Sequence, residues 1–413
     1  MSYQYDFKKT SINVIANFDS LIDTLGVTKK EFHDALALPD NKKYTSFPIS
    51  KSDGSKRTVY SPHKNIRRLQ RRINRRIFNS KDYKKNGLIS WPSYLYGSIP
   101  NDPRINDTLS ASSELMIDNS KDYIACAKNH CGARAIMKMD ISNFFDNIHE
   151  NQVFTIFKKL LKFPDEVSKA LTSICCFQGS VIQGALTSSY IASAVLFEVE
   201  AQTVIRLRRK KLVYTRLVDD ITISSKDLSY DFSFAQNIVE EMLNLLDLPI
   251  NRSKTSFSYC STDELLVHGL RINYKEPRLP STEVSRIRAS VKNLEKLAED
   301  ASYRISRDYR KSFNRCLGRV NKLGRLGHKQ HTSLLSRVNK IQPLPSEYDI
   351  KRTIKFIVKL EGWHPSHYED YWYRRCFNKA QSELNILQRT FDKTAKSLRI
   401  RLRKISPPLE DDL

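Results

Sequence analysis

Two adjacent aspartates, Asp219 and Asp220, interrupt the segment YTRLVDDITISS, which is otherwise rich in the β-branched and aromatic residues that favour strands. Successive side chains of a regular strand point to opposite faces of a sheet, so both carboxylates can reach one place only from a tight turn. The strand-like residues on both sides of the pair therefore predict a β-hairpin with the aspartates at its tip. A second Asp-Asp pair at 411–412 lies in the polar segment LEDDL, where an exposed acidic tail is the simpler interpretation.

A third carboxylate, Asp140, follows another strand-like run. We expect a strand from Ala135 to Ile141 that ends at or just past Asp140 and turns into a short helix with Ser142 as its cap. Pairing of this strand with the hairpin would bring up to three carboxylates into one partly buried place. Such a cluster repels itself unless divalent cations bind there, and hard oxygen ligands favour Mg²⁺. Two cations about 4 Å apart are typical of phosphoryl-transfer polymerases, so the pattern indicates nucleotidyl transfer.

The chain carries a large excess of positive charge. Its 413 residues include 69 Lys and Arg against 45 Asp and Glu, a formal net charge of +24. A field of that sign attracts polyanions, which makes nucleic acid the expected partner. No apolar run approaches the roughly 20 residues of a membrane-spanning helix, and the N-terminus lacks the pattern of a secretory signal. We therefore expect a cytoplasmic protein with no membrane partner.

The seven cysteines are scattered without paired CxxC spacing, which argues against a zinc module and against a disulfide framework. The sequence that comes nearest to a metal-ligand cluster is CAKNHC, with Cys126, His130 and Cys131. Because a second pair of ligands is missing, ordinary packing of these side chains is favoured over zinc binding. Reduced structural thiols are expected.

The segment HKNIRRLQRRINRRIF predicts a helix with an arginine-rich face. Its apolar residues Ile66, Leu69, Ile73 and Ile77 fall on one helical stripe. The other positions carry six arginines: Arg67, Arg68, Arg71, Arg72, Arg75 and Arg76. Guanidinium groups suit bidentate contacts with phosphate, so RNA binding is favoured over the alternative of a solvated cationic helix.

The remaining patterns predict an α+β unit followed by helices. YTSFPISKSDGSKRTVYSP reads as a basic β-hairpin, and GSVIQGALTSSYIASAVLFEVEAQTVIR as a loop that becomes one long apolar helix. LLVHGLRIN reads as a further strand that contains a glycine. From Ser281 onward, long charged helices predominate, and Pro343 and Pro345 mark a linker.

Several of these segments, in this order, resemble the motifs of bacterial reverse transcriptases of the retron and group II intron type. MKMDISNFFDNI is similar to their first catalytic motif, GSVIQGALTSSYIAS to their Gln-Gly motif, and RLVDDITIS to their Tyr-x-Asp-Asp hairpin. The basic hairpin and arginine-rich helix resemble their fingers, NRSKT their lysine-bearing motif, and HGLRIN their primer grip. The similarity covers about 47–273 and extends through the thumb to about 327.

This resemblance implies a right-hand polymerase of the α+β class with a C-terminal helical extension. The implied division of the chain is an N-terminal helical lead-in at 1–45, fingers at 46–125, a palm at 126–275 with part of the fingers at 150–185, a helical thumb at 276–345 and a basic extension at 346–413.

The resemblance also implies roles for individual residues. Metal binding falls to four positions, the last by its carbonyl group: Asp140, Asp219, Asp220 and Ile141. Nucleotide binding falls to six positions: Lys51, Arg57, Phe145, Gln183, Gly184 and Lys254. The primer grip corresponds to three positions: His268, Gly269 and Leu270.

Some of these roles have alternatives. Phe145 matches a steric gate that excludes the ribose 2′-hydroxyl and so selects dNTPs, but an ordinary core phenylalanine is the other interpretation. Lys254 is a candidate proton donor to pyrophosphate or a solvated lysine, and Lys56 could replace Arg57 as a triphosphate contact.

The chain departs from the family pattern at two places. Leu217 stands where a tyrosine is usual, and the segment after Tyr96 lacks the Asn-Ala-x-x-His pattern of many retron enzymes. The resemblance thus points first to the defence-associated, unknown-group reverse transcriptases and second to retron enzymes.

The expected function is RNA-directed DNA synthesis with two Mg²⁺ ions, or Mn²⁺, copying a structured non-coding RNA into cDNA from dNTPs in antiphage defence. A second copy of the chain or a second defence protein is a further candidate partner. The alternatives are a retron enzyme that makes RNA-linked DNA and a template-independent nucleotidyl transferase.

Overall fold

The computed structural model describes residues 6–9, 15–50, 54, 56–79, 88–101, 120–368 and 370–408. The chain forms two compact units, 1–278 and 279–413. The border between them falls near the expected start of the thumb, and the finer division into fingers, palm, thumb and extension stays a prediction. Lys51, one of the expected nucleotide contacts, lies outside the described residues.

The first unit mixes strands and helices. Its described strands are β1 (Lys8–Lys9), β2 (Tyr44–Ser50), β3 (Lys56–Pro62), β4 (Ile89–Ser90), β5 (Leu95–Tyr96), β6 (Ala135–Asp140), β7 (Val213–Leu217), β8 (Asp220–Ser225), β9 (Ser256–Tyr259), β10 (Leu266–Val267) and β11 (Leu270–Arg271). Its described α-helices are α1 (Phe18–Leu25), α2 (Lys29–Leu36), α3 (Asp40–Lys43), α4 (Lys64–Ile73), α5 (Tyr123–Lys128), α6 (Glu150–Thr155), α7 (Asp165–Cys175), α8 (Ser188–Ala194), α9 (Glu200–Arg209) and α10 (Ser233–Asn244).

A five-stranded sheet in the order β5-β7-β8-β6-β9 forms the centre of this unit. β5 and β7 run parallel, and the other neighbours are antiparallel. The interior strand β6 carries buried residues along nearly its whole length, because side chains cover both of its faces. The expected hairpin at the aspartate pair is present as β7–β8.

The expected basic hairpin and arginine-rich helix are also present. β2 pairs with β3 from Tyr44 opposite Pro62 to Ser50 opposite Lys56. α4 then buries its apolar stripe and continues into a π-helical segment, Asn74–Phe78. Thr28 caps α2, with its hydroxyl accepting a hydrogen bond from the amide of Glu31.

Three predicted elements differ in detail. The short helix expected after Asp140 is a series of turns, because Asn143 adopts a left-handed φ of 43° that a helix does not allow. The single strand expected around the primer grip is the two-stranded hairpin β10–β11, whose turn residues His268 and Gly269 both have positive φ.

The long apolar helix expected after the Gln-Gly segment is broken into α8 and α9. The carbonyl groups of Ala192 and Ser193 at the end of α8 accept hydrogen bonds from the side chain of Arg216. Tight i+3 turns follow, such as the bond from the Phe197 amide to the Ala194 carbonyl. A contact with a distant strand therefore ends this helix.

The second unit is helical in its described part. Its helices are α11 (Ser281–Ala298), α12 (Ala301–Arg304), α13 (Arg307–Arg325), α14 (His331–Lys340), α15 (Glu347–His367), α16 (Tyr371–Leu387) and α17 (Asp392–Arg403). α11, α13 and α14 pack together, and α15, α16 and α17 share a separate apolar cluster. None of the helices in the described residues is both long enough and apolar enough to span a membrane.

Candidate active site

The carboxylates converge where β6 and β8 end side by side. Asp140, the last residue of β6, lies opposite Asp220, the first residue of β8. Val218 and Asp219 form the turn before it, and the Asp219 carbonyl accepts a hydrogen bond of 3.2 Å from the Ile141 amide. The hairpin tip is thus attached to the end of β6, and the three predicted acidic side chains are brought together.

The ionisation of the aspartate pair reflects this crowding. Burial, followed by the charges of Asp219 and Asp140, raises the pKa of Asp220 to about 6, although its side chain is half exposed. Burial also raises the pKa of Asp219, and the negative charge of Asp140 adds to that effect. Two clustered carboxylates whose charged forms are disfavoured are the electrostatic environment that a cation relieves.

Asp140 already has a cationic partner. Its Oδ2 accepts a hydrogen bond of 2.9 Å from Lys254 Nζ and one of 3.2 Å from Asn251 Nδ2. The Asn251 amide also donates to the Asp140 carbonyl at 2.8 Å. Lys254 lies in the one-turn helix 252–254. Its ammonium group is bonded to the Asp140 carboxylate, so the alternative of a purely solvated lysine does not hold. Asn251 is a site residue that the sequence reasoning missed.

The site fits divalent cations through its chemistry. Its oxygen donors are hard ligands, and the pKa values of Asp219 and Asp220 are raised because burial and the neighbouring carboxylates outweigh the nearby positive charges. Within the described residues, no three His, Cys, Asp or Glu side chains already form a complete metal-binding set. Mg²⁺ is usually bound by one or two carboxylates and completes its coordination with water and phosphate oxygens.

Gln183 and Gly184 pack against the strand β3 of the basic hairpin. The Tyr60 amide donates a hydrogen bond of 2.8 Å to the Gln183 carbonyl. Gly184 has a φ of 109°, and a Cβ at this position would lie 2.0 Å from the Tyr60 carbonyl oxygen. Only glycine permits this close approach, which fixes the Gln-Gly loop against the hairpin.

Two other predicted nucleotide contacts lie near these elements. Arg57 is exposed on β3, and its positive charge lowers the pKa of Asp219, which opposes the effect of burial. Phe145 is half buried at the edge of the core, 6.2 Å from the ring of the buried Phe144. The ring of Phe145 is therefore partly accessible, unlike that of its neighbour.

The predicted primer-grip residues form the turn of the β10–β11 hairpin. His268 Nδ1 lies 3.9 Å from Asp220 Oδ2, and His268 Nε2 lies 3.3 Å from Cys126 Sγ. Gly269 has a φ of 75°, and Leu270 is buried at the start of β11. The turn is thus next to the catalytic hairpin.

The residues of CAKNHC belong to a polar network beneath the sheet. The buried His130 ring contacts Ser224 Oγ at 2.7 Å and Thr215 Oγ1 at 2.8 Å. Cys126 Sγ contacts the same Thr215 hydroxyl at 3.2 Å. Hydroxyl groups therefore satisfy these side chains, and all seven cysteines are free thiols.

The arginine-rich face is narrower than predicted. Arg68 and Arg76 are exposed, while Arg67, Arg71 and Arg75 are half buried. Arg72 is only 8% exposed, because it lies on the same side of the helix as the buried Leu69 and Ile73. The prediction that Arg72 contacts RNA is therefore wrong. Burial lowers the pKa of Arg72 to about 10, and the charges of Arg68, Arg76 and Arg75 add to that effect.

A family model described as reverse transcriptase (RNA-dependent DNA polymerase) matches residues 49–307. The Retron Ec48 reverse transcriptase of Escherichia coli is 44% identical over 396 residues, which cover 95% of this chain and 93% of that protein. The Retron Se72 reverse transcriptase of Salmonella heidelberg (strain 579083-10) is 31% identical over 400 residues, covering 95% of this chain and 97% of that protein.

Solved structures of telomerases also match. The telomerase from Candida albicans in complex with a fragment of telomeric RNA has a TM-score of 0.39 at 10% identity, covering 93% of this chain and 68% of that chain. The corresponding telomerase from Candida tropicalis has a TM-score of 0.40 at 11% identity, covering 90% and 65%.

Proposed function

The chain belongs to the bacterial retron-type reverse transcriptases and is an RNA-directed DNA polymerase of the right-hand fold, and on that basis we propose that it copies a dedicated, structured non-coding RNA into cDNA. Its relatives are retron enzymes, the second of the two groups that the sequence suggested. The absence of an Asn-Ala-x-x-His pattern was therefore a misleading signal, and part of that segment, 102–119, lies outside the described residues.

We propose that Asp140, Asp219 and Asp220, with the Ile141 carbonyl, hold two Mg²⁺ ions. The observation that carries this assignment is the pairing of Asp140 with Asp220 across β6 and β8, next to the turn that carries Asp219. When bound, such cations lower the pKa of an attacking hydroxyl group and stabilise the leaving oxygen. Mn²⁺ takes the same oxygen ligands.

The nucleotide contacts follow from the surroundings of these carboxylates. Arg57 is close enough to affect the pKa of Asp219, which suits a triphosphate contact. Lys254 is held by Asp140, and its pKa is raised by that hydrogen bond, so it carries a proton that it could give to departing pyrophosphate. Phe145 is proposed as the ring that excludes the ribose 2′-hydroxyl, beside the Gln183–Gly184 loop.

The RNA is proposed to contact the exposed arginines of α4 and of the π-helical segment that follows it, and the basic helices of the second unit. Arg76 is exposed on that segment, and the exposed Arg68 of α4 lies 3.1 Å from Glu31 in a surface ion pair that a phosphate would replace. His268 and Gly269 are proposed to contact the primer end, since their turn adjoins Asp220, while the fully buried Leu270 holds the hairpin in the core and its inclusion among the primer contacts is corrected.

We propose antiphage defence in the bacterial cytoplasm as the biological role, supported by the resemblance to retron enzymes. The experiment is to sequence RNA and DNA that co-purify with the protein. One abundant structured RNA, together with cDNA complementary to it that is missing from an Asp219→Asn variant, is the expected result. Unrelated cellular RNA with no complementary DNA would contradict a dedicated template, and DNA without any complementary RNA would favour template-independent transfer.

A further inference from the structure

Arg216 lies on β7, two residues before Val218, and its side chain is completely buried. Its guanidinium group donates two hydrogen bonds to the carboxylate of Glu200, one of them 2.7 Å from Nη2 to Oε2. Three more reach backbone carbonyl groups: Ala192 at 3.1 Å, Ser193 at 2.9 Å and Val218 at 3.0 Å. All five N–H donors of this guanidinium therefore have partners.

The partners of Arg216 come from three different elements. Ala192 and Ser193 end α8, which follows the Gln-Gly loop, Glu200 begins α9, and Val218 belongs to the catalytic turn. A planar guanidinium spreads five donors over three nitrogens in a fixed fork, whereas an ammonium group has three donors on a single nitrogen and cannot reproduce this arrangement. Glu200 is itself fully buried and accepts a further bond from the Tyr214 hydroxyl at 2.8 Å.

Stability alone is a weak reason for burying this pair. Removing two charges from water is costly, and well-packed apolar residues often stabilise a core as much as a buried ion pair does. The geometric role of Arg216 is more specific, because one of its donors reaches the turn that carries Asp219.

That turn has a conformation that needs support. Val218 has a φ of 59°, which is rare for a β-branched residue and persists only where the surroundings enforce it. On one side, a Cβ at Gly97 would lie 2.9 Å from Val218 Cγ2, so the absence of a side chain leaves just enough space for the valine. On the other side, the Val218 carbonyl is held by Arg216.

We propose that Arg216 and Glu200 form a buried clamp that holds Val218 in its left-handed conformation and fixes the catalytic turn to the end of α8. Arg216 is then a positioning residue for Asp219 and Asp220, acting through the backbone of Val218. The clamp also sets the distance between the aspartates and the helix that follows the nucleotide-contacting loop. The inference rests on the proposed metal-binding role of the aspartates.

The test compares single-nucleotide incorporation by native enzyme and by Arg216→Lys, which keeps the positive charge beside Glu200 but has three donors on one nitrogen and so cannot keep the five hydrogen bonds of the guanidinium. Catalytic groups displaced by about 1 Å cost about 100-fold in rate, so kcat per folded enzyme should fall by about that factor. KM for dNTP should change little. If Arg216→Lys fails to fold, a second variant takes its place: Arg216→Met with Glu200→Gln, which removes both charges. This double variant should show the same fall in kcat.

The decisive step adds Val218→Gly to these variants. Glycine adopts a positive φ without strain, so the turn no longer needs the clamp and most of the native kcat should return. A purely structural ion pair would give no such rescue. Arg310→Lys is the matched control for the loss of a buried ion pair, because it disturbs the pair of Arg310 with Asp349 in the other unit, and any loss of kcat that it causes should not be restored by Val218→Gly.

Two results would overturn the clamp: native kcat in a folded variant that lacks the Arg216 hydrogen bonds, or a reduced kcat that Val218→Gly does not restore. An Asp219→Asn variant distinguishes a failure of the clamp from a failure of the proposed catalytic role of the aspartates. If Asp219→Asn stays active, the proposed catalytic site is wrong. If it is inactive while the Arg216 variants keep native kcat, only the clamp is wrong.

Discussion

At the scale of single residues, the neighbours Phe144 and Phe145 differ in exposure: the first is 3% exposed and the second only half buried. If Phe145 is the steric gate, Phe145→Ala should raise NTP incorporation relative to dNTP incorporation, because the space for a 2′-hydroxyl opens. Single-nucleotide extension with matched dNTP and NTP measures the ratio. Phe144→Leu is the control, which should lose stability without losing selectivity.

A Phe145→Ala enzyme that stayed as selective for dNTPs as the native enzyme would leave Phe145 as an ordinary core residue. A gate and a core-edge phenylalanine both need one apolar face packed, so the nucleotide selectivity of Phe145→Ala is the property that distinguishes the two interpretations.

Gly184 offers a second residue-scale prediction. A methyl group there would meet the Tyr60 carbonyl at 2.0 Å, so Gly184→Ala must move the Gln-Gly loop away from β3. We expect a higher KM for dNTP and a lower kcat in steady-state extension. Gly179→Ala is a matched control, because Gly179 has a φ of 82° but no atom within 4 Å of its added Cβ. Equal effects of the two changes would assign the loss to backbone strain.

Leu217, the departure from the usual tyrosine, is explained by its surroundings. It is half buried against Tyr96, Ala125 and Cys126. The side chain fills an apolar patch beside the catalytic turn, where leucine satisfies packing without a hydroxyl group that needs a partner.

At the scale of elements, the polar network between α5, β7 and β8 makes stability depend on pH. Burial lowers the pKa of His130 to about 3, and burial together with the charge of Lys138 lowers that of His268 to about 4. Below the unfolded pKa of about 6.5 the unfolded chain binds protons that the folded chain does not, so the free energy of unfolding falls as pH falls.

The expected decrease in the free energy of unfolding is about 1.3 kcal/mol for each of the two histidines between neutral pH and pH 5.5. His130→Gln should remove about half of this dependence, measured by urea unfolding at several pH values. If the native and variant proteins instead share the same pH dependence, His130 titrates alike in the folded and unfolded chains, which would contradict the burial argument.

Sequence reasoning was most successful where local pattern decides structure. The strands around Asp219, the hairpin before α4 and the apolar stripe of α4 were predicted because alternation and helical periodicity are local signals. The break between α8 and α9 was not predicted, because it depends on hydrogen bonds that Arg216 of strand β7 donates to the carbonyl groups there. Arg216 itself had a signal: a charged residue inside a strand-forming run.

The same distinction applies to the site. The three aspartates could be named from their patterns, but Asn251 contacts Asp140 across 111 residues of sequence and Glu200 contacts Arg216 across 16, so neither contact is visible in a local pattern. Whether an arginine of α4 is exposed also depends on how the helix packs against other elements. For that reason the sequence wrongly assigned the buried Arg72 to the exposed, RNA-binding face.

At the scale of the whole molecule, the net charge of +24 predicts RNA binding that weakens steeply with salt. Replacing the exposed pair Arg68 and Arg76 by glutamine should reduce the slope of log K against log salt concentration by about 0.7 for each phosphate that is no longer neutralised. Lys158→Gln removes an exposed charge outside α4 and serves as control. Identical slopes for both variants would show that α4 contributes only general charge.

The central claim is that this chain synthesises DNA on an RNA template at the site formed by Asp140, Asp219 and Asp220. The direct measurement is primer extension on a defined RNA template with dNTPs and Mg²⁺, comparing the native enzyme with Asp219→Asn and Asp220→Asn. We expect template-dependent DNA from the native enzyme and a loss of extension in both folded variants, without full loss of RNA binding. Equal extension by the native and variant proteins, or extension that ignores the template sequence, would contradict the claim.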